Sequence, residues 1–151
     1  MLGRAMLGRR GFSLGAPLRQ VAAVTSEEFS VRRARLMESL RREKAKSNDS
    51  ASLTAVLKGR QKTFSAPDVP HPFRQCSNFR YLTGITLPNS RLVLTESESI
   101  LFIERRTKNQ QLWDGDIPSF AELSQLSGVD RVLPLGEFEN FVAVQQRRRG
   151  Q

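Results

Sequence analysis

Few side chains of this sequence could do chemistry, and their spacing does not assemble a catalytic set. The chain has one histidine, His71, and one cysteine, Cys76. A two-metal hydrolase site needs several oxygen or imidazole ligands that converge on one pocket. His71 lies between two prolines without a plausible carboxylate set nearby, and Asp114 and Asp116 are too few for a two-metal cage. No serine has a nucleophile-elbow context, and there is no glycine-rich phosphate loop. The residues alone therefore do not predict catalysis.

The two reactive residue types have simple interpretations. We interpret His71 as a loop residue because it lacks partners. Cys76 is interpreted as a small, partly buried residue, with a reactive thiol as the alternative, since Arg74 and Arg80 could lower its pKa.

Residues 73–81 interleave aromatic and polar side chains. Pro67, Pro70 and Pro72 precede them and hold the backbone extended. The pattern favours a loop that feeds a strand, with Phe73, Phe79 and Tyr81 as core or strand-anchoring aromatics. A second polar and aromatic segment, residues 112–116, also lies in a predicted loop.

We expect these two segments to meet at one edge of the domain, where loops collect into binding surfaces. Asp68 and Asp114 would accept hydrogen bonds there, and Arg74 and Gln75 would donate them. Trp113 is either an apolar anchor of this rim or a packing residue, and the sequence leaves both open. The candidate cleft-rim or interface residues are Asp68, Phe73, Arg74, Gln75, Asn78, Tyr81, Trp113 and Asp114.

The order of elements predicts an α/β domain with helices covering a mixed sheet. A capping box at Thr25 and Glu28 starts a helix that ends near Lys46. Residues 53–57 are predicted to form a buried strand. Residues 91–95 and 100–104 are predicted to form two strands joined by a hairpin or a tight connection. A second capping box, Ser119 and Glu122, starts a helix that Gly128 ends. Residues 129–133 are predicted to form a strand, and a last helix is predicted from Gly136 onward. Residues 105–116 are predicted to form a loop.

Charge divides the chain into a near-neutral domain and two basic ends. The net charge is +9, which by itself suggests nucleic acid. Residues 1–24 carry four Arg and no acid, and residues 147–149 are all Arg. These ends hold seven of the 24 basic residues, leaving 17 against 15 acidic ones, so a nucleic-acid partner is not expected. The boundaries are thus residues 1–24, 25–146 and 147–151.

The acid-free, arginine-rich residues 1–24 are typical of a mitochondrial transit peptide, with a disordered basic tail as the alternative. A single cysteine offers no disulfide framework, which fits a reducing compartment. The sequence has no run of about 18 apolar residues, so no membrane span is expected.

Five segments in order resemble one known family: PDVPHPFRQCSNFRYLTG, LPNSRLVL, ILFIERR, QLWDG and GVDRVLPLGEF. With the lead helix RRARLMESL, they are similar to the N-terminal domain of aminopeptidase P, and most of all to its mitochondrial type 3 members. The resemblance covers residues 28–142.

The resemblance implies a creatinase-like α/β domain that walls the active-site cleft of a metallopeptidase and makes oligomer contacts. In this family a separate catalytic domain binds two metal ions, usually manganese, and releases an N-terminal residue that precedes proline. That domain is missing from the 151 residues, so the chain by itself is expected to be inactive and to hold no cofactor. Two hypotheses follow: a fragment or short form of a mitochondrial Xaa-Pro aminopeptidase, or a stand-alone, noncatalytic protein-interaction module that pairs with itself or with full-length subunits.

Overall fold

The structure, a computed structural model, describes residues 24–47, 51–67 and 69–149. Its centre is a sheet in the order β1–β4–β5–β6, formed by Ala55–Lys58, Arg91–Leu94, Ser99–Ile103 and Arg131–Pro134. β1, β4 and β5 are antiparallel, whereas β6 is parallel to β5. A separate antiparallel pair consists of β2, Phe64–Ala66, and β3, Val69–Pro70. The helices are α1 Ser26–Lys46, α2 Ser77–Thr83, α3 Lys108–Asp114, α4 Phe120–Ser127 and α5 Phe138–Arg149. The predicted mixed sheet flanked by helices is confirmed.

Alternation along the central strands builds a core on each face of the sheet. On β4, Leu92 and Leu94 face one side while Val93 faces the other. The first side packs against α1, α2 and α4 through Met37, Phe79, Leu82 and Leu123. The second side packs against α5, where the rings of Phe102 and Phe138 meet edge to face with centroids 5.3 Å apart. The predicted pairing of the two apolar runs is confirmed by the antiparallel β4–β5 pair. Successive side chains of a strand point to opposite faces, so these runs contribute to both cores.

Local signals set the ends of two helices where the sequence predicts them. Thr25 caps α1 by accepting a hydrogen bond from the Glu28 backbone N–H at 3.3 Å. Ser119 and Glu122 form a complete capping box at the start of α4. Gly128 ends α4 in the left-handed conformation, with a φ of 62°. These features need only near neighbours in the chain, which is why sequence patterns find them.

Two segments that were predicted as loops are helical, and these predictions were wrong. Residues 77–83 form α2 rather than a loop that feeds a strand. Phe79, Leu82 and Thr83 are all buried at helical spacing, so packing outweighs the preference of the aromatics for strands. Residues 108–114 form α3, which begins with a capping box between Thr107 and Gln110. That box is a sequence signal that could have revealed the helix.

The strand predictions need smaller corrections. β1 lies at the edge of the sheet and is half-exposed, so it is not the buried strand that residues 53–57 predicted. The β2–β3 pair was not predicted. β6 begins at Arg131, and Asp130 precedes it instead of lying inside the strand.

The structure describes part of the C-terminal basic end but almost none of the N-terminal one. Residues 1–23, nearly all of the predicted transit peptide, lie outside the described residues. α5 continues through Arg149, so the first residues of the predicted basic tail belong to a helix. Among the described residues, no helix is long and apolar enough to cross a membrane.

Candidate functional site

A surface cleft lies where α2 and the loop before it meet the start of α1. We call it the α1–α2 cleft. Its volume is about 700 Å³. The residues of its lining that matter for function are Phe29, Arg32, Phe73, Arg74, Arg80 and Tyr81.

The two helices approach closely at Gly84, which ends α2 with a φ of 70°. A Cβ atom at this position would lie 2.5 Å from Cζ of Phe29 on α1. Only glycine accepts both the left-handed backbone and this contact without strain. The absence of a side chain at Gly84 therefore allows α1 to pack closely against the end of α2.

Arg32 of α1 holds Tyr81 of α2 in place. Its Nη1 donates a hydrogen bond to the Tyr81 carbonyl oxygen at 3.1 Å. Its guanidinium carbon lies 4.3 Å from the centroid of the Tyr81 ring. Glu28 fixes the other side of Arg32 through a 3.0 Å ion pair at Nε. Tyr81 nevertheless remains 54% exposed, so its ring is a fixed aromatic surface at the cleft.

Gln75 lies at the floor of the loop and is buried. Its side-chain oxygen accepts from the backbone N–H groups of Arg60, at 2.7 Å, and Cys76, at 2.9 Å. Its side-chain nitrogen donates to the Leu87 carbonyl at 2.8 Å. The sequence predicted Gln75 as a donor at the rim, but these three bonds show that its amide holds the loop instead.

Arg33, one residue after Arg32, is the buried centre of the helix packing. Its guanidinium donates to the carbonyl oxygens of Leu82 at 2.9 Å and Ser127 at 2.8 Å, and also to that of Gly128. These carbonyls belong to the ends of α2 and α4, where helix dipoles favour a cation. Burial lowers the pKa of Arg33, and the charge of Asp130 acts in the opposite direction. Arg33 thus holds three helices in the arrangement that forms the cleft, a role that the sequence did not reveal.

The reactive residue types behave nearly as predicted. Cys76 is a free, partly buried thiol at the N-cap of α2. The nearby backbone N–H groups of Phe79 and Asn78 lower the pKa of Cys76, with a smaller contribution from Arg60. The predicted cause, Arg74 and Arg80, is therefore wrong. His71 is an exposed loop residue.

The predicted rim residues divide into two groups. Phe73, Arg74, Gln75 and Tyr81 line the α1–α2 cleft, and the exposed Asn78 borders an adjacent groove with Tyr81. The second group, Asp68 and the side chains of Trp113 and Asp114, lies outside the described residues.

The meeting of the two predicted segments stays a prediction. On α3, Leu112 is exposed and does not line the α1–α2 cleft. α3 contributes Gln110 to a different groove, where Phe64 and Pro70 of the β2–β3 pair and Glu104 also lie.

Comparisons with known proteins agree on one family. A family model described as the aminopeptidase P N-terminal domain matches residues 29–150. Xaa-Pro aminopeptidase 3 of Mus musculus and that of Homo sapiens are each 32% identical over 123 residues, which cover 76% of this chain and 24% of theirs. The solved low-pH form of E. coli aminopeptidase P gives a TM-score of 0.64 at 27% identity, covering 78% of this chain and 26% of that one. This chain spans about a quarter of the length of the curated relatives that it matches.

Proposed function

Because this chain belongs to the aminopeptidase P family and matches its N-terminal domain, we propose that it serves as that domain in a mitochondrial Xaa-Pro aminopeptidase. Such an enzyme releases an N-terminal residue that precedes proline. The observation that carries the proposal is the family match over residues 29–150, together with the 32% identity to two mammalian type 3 enzymes.

In such an enzyme, this domain would position the catalytic domain and form one wall of the active-site cleft. It would not supply catalytic groups. Residues 24–47, 51–67 and 69–149 contain no group of three or more His, Cys, Asp or Glu side chains that could hold a metal ion. The two manganese ions that the family resemblance implies therefore do not fit these residues. We assign the metal-dependent chemistry to the catalytic domain of the family.

A domain exchange tests this assignment. Residues 25–149 of this chain would replace the matching N-terminal domain of human Xaa-Pro aminopeptidase 3. We expect the chimera to release the first residue of an Xaa-Pro peptide in the presence of manganese. This chain by itself is the control and should release nothing. A chimera that is folded and binds manganese but releases no residue would contradict the proposal, as would proline-dependent release by the chain alone.

We propose that residues 1–24 direct import into mitochondria. The support is their composition, with Arg4, Arg9, Arg10 and Arg19 and no acidic residue. A fluorescent reporter fused behind residues 1–24 should enter mitochondria and lose roughly the first dozen residues or more. The matched control replaces the four arginines with glutamine and should remain in the cytosol. A wild-type fusion that also stays cytosolic contradicts the import proposal.

A second candidate function is a noncatalytic protein-interaction module, which would pair with itself or with a full-length subunit. The exposed aromatic surface of Tyr81 beside the exposed arginines of the α1–α2 cleft favours this candidate. Sedimentation of this chain with and without human Xaa-Pro aminopeptidase 3 would distinguish the two candidate functions. Only the interaction module has to form a complex with a separate chain.

A further inference from the structure

The α1–α2 cleft collects positive charge, and its described lining contains no acidic residue. Arg32, Arg74 and Arg80 all line it, and none of the described lining residues is Asp or Glu. Arg32 is already paired with Glu28. Arg74 and Arg80 are exposed, and neither forms an ion pair within the part of the chain that the structure describes. Two guanidinium groups are thus left to interact with an outside anion.

The same cleft carries apolar surface between the charges. Tyr81 follows Arg80 on α2, and the guanidinium group of Arg32 packs on its ring. Leu126 of α4 also lines the cleft and is 58% exposed, and Phe73 is half-buried. Large exposed apolar side chains that are grouped beside charges are typical of recognition surfaces. The occupant should therefore offer both carboxylates and an apolar side chain.

We propose that the α1–α2 cleft binds an acidic peptide segment of a partner protein, whose carboxylates pair with Arg74 and Arg80 and whose apolar side chain packs on Tyr81 and Leu126. Charge complementarity disfavours the chain's own N-terminal segment as the occupant, since residues 1–23 carry four Arg and no acid. The apolar surface favours a peptide over a nucleic acid, which would meet the cleft mainly through phosphates. The inference does not depend on the peptidase assignment.

The probe is a fluorescently labelled peptide of alternating glutamate and leucine, titrated with the full chain and followed by anisotropy. We expect saturable binding. Arg74→Ala and Arg80→Ala should each weaken it about two- to five-fold, in the range of exposed ion pairs, and the double variant by about the product. Tyr81→Ser should also weaken peptide binding relative to the wild type, because the apolar contact with the peptide is lost. Since Arg74 and Arg80 have exposed side chains, the Ala variants should melt with the wild type.

Arg41→Ala is the matched control, because Arg41 is exposed, lies outside the α1–α2 cleft and carries the same charge. It should leave binding unchanged. The proposal is overturned if Arg41→Ala weakens binding as much as Arg74→Ala, or if a glutamine–leucine peptide binds equally well. It is also overturned if inorganic phosphate or a single-stranded RNA displaces the peptide at the concentration at which free peptide does so.

Discussion

The buried guanidinium of Arg33 ties the ends of α2 and α4 to α1, so Arg33→Ala should destabilise the whole domain. Arg33 is 4% exposed and donates to the carbonyls of Leu82 and Ser127 at 2.9 and 2.8 Å. Its truncation leaves both buried acceptors without their donor, at a cost of about 1 to 3 kcal/mol each. The two together give a loss of about 2 to 6 kcal/mol, and water that enters the space and binds the carbonyls moves it toward the lower end of that range.

This loss is large compared with the total stability of a small domain, about 5 to 15 kcal/mol. For a chain of this size, it should lower the melting temperature by roughly 5 to 25 °C. Urea unfolding followed by far-UV circular dichroism measures the free energy directly. Arg33→Lys keeps the charge but loses the second guanidinium nitrogen, Nη2, which donates to the Gly128 carbonyl, so its loss of stability should be intermediate.

The matched control is Arg35→Ala, because Arg35 is exposed on the same helix and should change stability by no more than about 0.5 kcal/mol. If Arg33→Ala unfolds at the same urea concentration as Arg35→Ala, the buried hydrogen bonds do not contribute as we argue, and the account of the helix packing is wrong.

Three further predictions concern other parts of the chain. Hydrogen bonds from Ser99 at 2.6 and 2.7 Å lower the pKa of Asp130, so its stabilisation is present above about pH 4 and is lost as pH falls through the folded-state pKa. In urea unfolding, the gap between wild type and Asp130→Asn should therefore shrink at low pH, and a constant gap contradicts this. Gly128→Ala should lower the melting temperature more than alanine at exposed Gly136, because the new Cβ would lie 2.6 Å from the Ser26 carbonyl oxygen at a φ of 62°. Trp113→Ala should reduce self-association in sedimentation with little change in melting temperature. A loss of about 3 to 5 kcal/mol in stability with unchanged association would instead show that Trp113 packs in the core.

The features that local chemistry dictates could be read from the sequence. The ends of α1 and α4 follow from Thr25, Ser119 with Glu122, and Gly128, each of which interacts within a few residues. Two apolar runs with four polar residues between them gave the pairing of β4 and β5. Which side chains face which core was not predicted. The mixed sheet and its helices also followed, because alternating periods of two and 3.6 residues leave few ways to cover a sheet.

Short helices were the main failure, for a thermodynamic reason. α2 and α3 have seven residues each, and helices of that length are unstable by themselves. α2 exists because Phe79 and Leu82 are buried against the sheet, an interaction that no local pattern contains. α3 had a local signal in the Thr107 and Gln110 capping box, which the polar character of the segment obscured.

From residue types and spacing, the sequence by itself singled out four residues that line the α1–α2 cleft: Phe73, Arg74, Gln75 and Tyr81. It did not place Phe29, Arg32 or Arg80 there, although all three line the same cleft. Only the tertiary structure decided what they do there. It brings Arg32 to the carbonyl of Tyr81, 49 residues further along the chain, and it turns Gln75 inward. The physical reason is that side-chain chemistry is local, whereas the partner of a charge or an amide is set by packing between helices distant in sequence.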